Sequence, residues 1–81
     1  MAEVVPFPLA RRRAFIERHA RLIASMSAAA GERHLVRQLE IQFDVLERKG
    51  VACDVIEREV LSLGRAIRAA LWVAVLTPGG R

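Results

Sequence analysis

The chain has 81 residues, 53% of them apolar and 27% charged, with a formal net charge of +4, which fits one soluble domain with enough apolar material for a core. Its single cysteine, Cys53, excludes an internal disulfide, so a disulfide-stapled secreted scaffold does not fit and a reducing cytoplasm does. The longest apolar run, Ala69 to Leu76, has eight residues against the roughly 20 that a membrane span needs.

Strand formers are sparse: there is no Tyr, one Trp and three Phe, whereas Ala, Leu, Arg and Glu, which lose little side-chain freedom in a helix, are plentiful. The expected fold class is therefore all-α, an antiparallel three-helix bundle with an extended N-terminal arm. The arm covers residues 1–7, where Pro6 and Pro8 hold their neighbours out of helical geometry. It does not read as a signal peptide, because Val4-Val5-Pro6-Phe7 precedes Arg11-Arg12-Arg13, the reverse of the required order.

The first helix is expected over 8–26, with Pro8 as its first residue and Phe15, Ile16, Leu22, Ile23 and Met26 on one stripe. His19 falls on the same stripe. Ser25 to Gly31 marks a break, with Ser27 as N-cap of the next helix or Gly31 as the end of the first. The second helix is expected over 28–49, with Leu35, Val36, Leu39, Phe43 and Leu46 as its stripe and Gly50 as a left-handed stop. The short Val51-Ala52 link makes the third helix, 53–76, an antiparallel neighbour, with Ile56, Val60, Leu63, Ile67 and Leu71 facing inward. Thr77 to Arg81 reads as a frayed tail.

Both later helices carry a second apolar stripe. Ile41 and Val45 lie off the main face of the second helix, and Leu61, Trp72, Val75 and Leu76 lie off that of the third. A lone bundle of this size leaves much of this surface in water, and apolar patches beyond a few hundred Å2 mark interaction surfaces. A single core below ~80 residues rarely supplies more than ~3–5 kcal/mol. Covering Trp72, Val75 and Leu76 between subunits adds roughly 1.5–3 kcal/mol per side chain. The leading expectation is a non-enzymatic interaction or adaptor module that self-associates, as a homodimer or with a protein partner, through Ile41, Val45, Leu61, Trp72, Val75 and Leu76.

Basic charge concentrates at the start of the chain, where residues 1–25 hold five Arg against two Glu. Arg11, Arg12, Arg13, Arg18 and Arg21 are the candidate phosphate contacts of the alternative reading, a small nucleic-acid-binding regulator. No aromatic residue outside the first helix's apolar stripe interleaves with these arginines to stack on bases, and helices of about 20 residues fit a helix-turn-helix poorly. A membrane-surface role conflicts with the first helix's apolar stripe being needed for the core.

Catalysis has no visible footing. His19, His34 and Cys53 stand 15 and 19 residues apart, which matches no metal-ligand spacing, so no metal and no cofactor is expected. His19 reads as a packed histidine with one hydrogen bond. Cys53, at a helix start where a thiol's pKa can fall, reads as a small apolar residue for want of a nearby base. Ser25, Ser27, Ser62 and Thr77 sit in no nucleophile motif, and nothing resembles a phosphate loop or a small-molecule pocket.

The opening Val4-Val5-Pro6-Phe7-Pro8 with Arg11-Arg12-Arg13, the segment His34-Leu35-Val36-Arg37-Gln38-Leu39, the Arg48-Lys49-Gly50 turn and Arg68-Ala69-Ala70-Leu71-Trp72 together resemble a family of short alphaproteobacterial proteins of unknown function. The resemblance spans nearly the whole chain. It implies a bacterial cytoplasmic setting and carries no activity and no site residues. Family members often have proline where Cys53 stands, which speaks against a role for the thiol.

Overall fold

A computed structural model describes residues 8–76, and the arm over 1–7 and the tail over 77–81 lie outside the described residues. Three helices follow a short 3-10 turn at Leu9–Arg11: α1, Arg13–Ala24; α2, Ala28–Arg48; and α3, Cys53–Leu76. There is no strand among the described residues.

The chain start differs from one continuous helix over 8–26. Pro8 is extended, at φ −58° and ψ 133°, and Arg12, at φ −81° and ψ 74°, breaks the path between the 3-10 turn and α1. The break lets Leu9 turn inward to 6% exposure, with its N–H donating to Glu59 Oε1 at 3.0 Å. A contact 50 residues away in sequence thus overrides a locally good helix start. At the other end α1 stops at Ala24, two residues before Met26.

Local chemistry explains the remaining ends. The Ser27 side chain accepts from the Ala30 N–H at 3.2 Å and starts α2, leaving Gly31 inside that helix. Gly50, at φ +81°, takes the left-handed conformation that ends α2. Arg12 meets Gln42, His19 meets His34 and Ile23 meets Gly31, so α1 and α2 run antiparallel. Glu32 meets Arg68 and Leu39 meets Gly64, so α2 and α3 do too, and α1 lies parallel to α3.

The core joins Leu9, Ile16, Ile23, Leu35, Leu46, Ile56, Leu63 and Ile67. Leu63 and Ile67 are fully enclosed. On α1 the buried row is Ile16, Ala20 and Ile23, while Leu22 remains exposed and Phe15 and Met26 half-buried. The inward face is therefore rotated toward Ala20, whose small side chain lets α1 approach its neighbours. Val36, placed on the inner stripe of α2 by periodicity, is also exposed.

Two glycines test how closely these helices approach. A Cβ on Gly31 would stand 2.8 Å from Ile23 Cγ2, a branched methyl with little freedom, whereas one on Gly64 would stand 3.1 Å from the mobile Leu39 Cδ1. Overpacking costs about 1–3 kcal/mol and the helix gain from Gly to Ala is about 1 kcal/mol. Gly31→Ala is expected to lower the melting temperature. Gly64→Ala is expected to leave it unchanged or raise it, by thermal denaturation followed by circular dichroism.

Candidate interaction surface

The helices differ in length, and that difference decides what is left uncovered. α3 has 24 residues and α1 only 12. Because α1 ends at Ala24 and α2 begins at Ala28, the last turns of α3 have few neighbours. Trp72, Val73, Val75 and Leu76 are each more than half exposed, with Trp72 at 65%. Further back, Leu61 is 56% exposed. Leu61, Arg65, Arg68, Trp72 and Val75 follow a 4-3-4-3 spacing, which places them on one outward row of α3.

That row borders a groove of about 370 Å3 between α2 and α3, lined by Leu39, Phe43, Val60 and Leu61, with Gly64 contributing no side chain. Glu57 stands toward one end and Arg65 and Arg68 toward the other. Arg68 forks onto Glu32 at 2.9 and 3.2 Å, and this pairing holds the Glu32 carboxyl below its ordinary pKa.

Ile41 and Val45 occupy a different side. They continue the α2 row of His34 and Gln38, next to the residues that meet α1, with Ile41 exposed and Val45 half-buried. The two apolar stripes of the sequence therefore do not merge: Leu61, Trp72, Val75 and Leu76 form the candidate surface, and Ile41 and Val45 stand apart from it.

The five arginines likewise divide. Arg12 donates to Gln42 at 3.1 Å with its guanidinium 4.6 Å from the Phe15 ring centre, and Arg18 approaches the same ring. Arg13 pairs with Glu17 at 3.6 Å. Arg13 and Arg21 edge a second groove, about 640 Å3, between α1 and α3, whose walls are mostly alanine. Arg11 lies in the 3-10 turn. All five side chains reach solvent, but from more than one side of the bundle.

One contact escaped the sequence reading. His19 Nδ1 and His34 Nε2 lie 2.9 Å apart, so one imidazole donates to the other across the α1–α2 seam, beside Phe15. No spacing rule signals this pair, since only the antiparallel packing of α1 and α2 brings the rings together. Among the described residues no group of three or more His, Cys, Asp or Glu side chains converges. Cys53 is exposed, and the Glu57 carboxylate beside it raises the thiol pKa, the reverse of the activation a helix start can give. No described helix is long and apolar enough to cross a membrane.

The histidine pair predicts a pH dependence of stability. Desolvation, then His34 from α2, then Arg18 on its own helix lower the pKa of His19 below its ordinary 6.5. The unfolded chain therefore binds more protons near that pH, and stability is complete above it and declines as pH falls toward the folded-state value. The melting temperature is expected to drop between about pH 7 and 5.5, the range in which histidine titrates. The drop should shrink in His19→Gln, and an identical profile in that variant refutes the assignment.

No curated protein and no solved structure matches the chain. The model of a family of unknown function, DUF6074, matches residues 1–81, and the chain belongs to that family.

Proposed function

We propose that the protein is a non-enzymatic interaction module of the bacterial cytoplasm that self-associates through the outward face of α3. The observation that carries this reading is the run of large apolar side chains at Leu61, Trp72, Val75 and Leu76, all more than half exposed on a chain of 81 residues. Scattered surface leucines are normal, whereas clustered ones beside an apolar groove are the mark of a docking face. Tryptophan supports the same reading, because it is enriched among the residues that dominate interface energies.

The second reading, a nucleic-acid-binding regulator, draws on the exposed arginines and the charge surplus of the first 25 residues. It predicts binding that weakens steeply with salt. Absence of any mobility shift at low salt removes it.

Sedimentation velocity tests the leading reading. The wild type is expected to sediment above the 9.0 kDa of a single chain. Trp72→Asp is expected to yield monomer with unchanged helical content, because residue 72 lies outside the core. Unchanged oligomer size in that variant rejects Trp72 as a contact, and a wild-type monomer at every concentration rejects the reading itself.

A further inference from the structure

We infer that the second copy docks antiparallel along α3, about a two-fold axis at Leu61, so that each Glu57 meets the partner's Arg65. The inference rests on the self-association reading above and adds its geometry. It draws on the order of charges along the exposed row, which is independent of how apolar that row is.

Leu61 lies midway between Glu57, four residues before it, and Arg65, four residues after it, and all three line the α2–α3 groove. Neither Glu57 nor Arg65 has an ion-pair partner among the described residues. Four residues are about 6 Å of helix. In an isologous interface residue i meets j and j meets i. A two-fold axis through Leu61 therefore brings Glu57 opposite the partner's Arg65 twice, and Leu61 opposite the partner's Leu61. It also sets Asp54 opposite the partner's Arg68.

Other arrangements do worse on charge. A parallel pair puts Glu57 beside Glu57 and Arg65 beside Arg65, and like charges in apposition disfavour that arrangement. An antiparallel pair centred between Arg65 and Arg68 juxtaposes arginines. One centred on Trp72 leaves the first half of α3 without a neighbour. The Leu61 axis overlaps 53–69 of the two α3 helices and carries Trp72 past the partner's Cys53, toward the turn that precedes its α3.

The area required is also within reach. A standard interface takes about 800 Å2 from each partner. That is about one-seventh of this chain's 5820 Å2 surface. The groove walls Leu39, Phe43 and Val60 supply apolar surface on either side of Leu61. Two α2–α3 hairpins packed in this way form a four-helix layer, with the α1 helices on its outer sides.

Charge exchange tests the register. Glu57→Arg and Arg65→Glu are each expected to weaken dimerisation about tenfold or more, since each reversal acts twice in the dimer. The double variant is expected to regain the wild-type dissociation constant within about threefold, as pair coupling requires. In a Cys53→Ser background, Leu61→Cys is expected to oxidise to a covalent dimer, because two facing residues come within disulfide reach. Trp72→Cys in the same background is expected to stay uncrosslinked, since its two copies lie about 33 Å apart along the axis. A wild-type dimer that ignores both single reversals, or that crosslinks at position 72 and not 61, overturns this geometry and leaves self-association standing. A wild type that is monomeric throughout overturns both.

Discussion

Leu63 and Ile67 lose all contact with water because α1 and α2 both close over the same face of α3, and the rest of the bundle is arranged around that closure. Ala20 lets α1 approach, and Gly31 lets α1 and α2 meet at Ile23. Each covers only the inner face of α3. A helix of 24 residues flanked by one of 12 and one of 21 necessarily presents an outer row, and here that row is Leu61, Arg65, Arg68, Trp72 and Val75 rather than a solvated mixture of lysine and glutamate. The core and the candidate docking surface are thus two faces of one element, and the amphipathic design of α3 is double.

The polar contacts that join one element to another follow the same logic. Each spans two elements at a point where the core alone leaves orientation loose. Leu9 to Glu59 fixes the turn before α1, Arg12 to Gln42 and His19 to His34 set the α1–α2 seam, and Arg68 to Glu32 ties α3 to α2. Exposed ion pairs are worth about 0–1 kcal/mol, so Arg68 and Glu32 contribute little to stability. Their effect is on register, and they also engage Arg68 within its own chain, which leaves Arg65 as the cation of the groove without an ion pair among the described residues.

Elements whose signals are local were legible in the sequence. Gly50 announces the end of α2, Ser27 is one of the two readings its sequence offers for the break before it, and the inward positions Leu63 and Ile67 follow from the 3.6-residue period alone. What could not be read depends on contacts made by the folded chain. The break at Arg12 is set by Glu59, 50 residues from Leu9. The exposure of Leu22 reflects which of two adjacent rows on α1 turns inward, and a stripe of mixed leucine and alanine does not settle that. The histidine pair requires a helix crossing that no spacing encodes. For the surface, exposure of Trp72, Leu61 and Leu76 was visible as an apolar excess, but the separation of Ile41 and Val45 from them was not, because their shared helix phase says nothing about where α1 lies.

Apolar burial and charge therefore perform different tasks on α3. Leucine, valine and tryptophan along the outer row can drive association in many registers, because apolar contact has no direction and scales with area. Self-recognition needs a feature that penalises the wrong registers. Placing one acidic and one basic side chain at equal distances from an apolar residue is the smallest arrangement that does so for a two-fold pair, since the axis converts an order along one helix into complementarity between two. The groove has this arrangement in Glu57, Leu61 and Arg65. Exchanging the two charges would keep the match, whereas two like charges flanking Leu61 would face each other at the same axis, so in the proposed dimer it is the opposite signs at equal distances from Leu61, more than the amount of apolar surface, that favour the antiparallel pair.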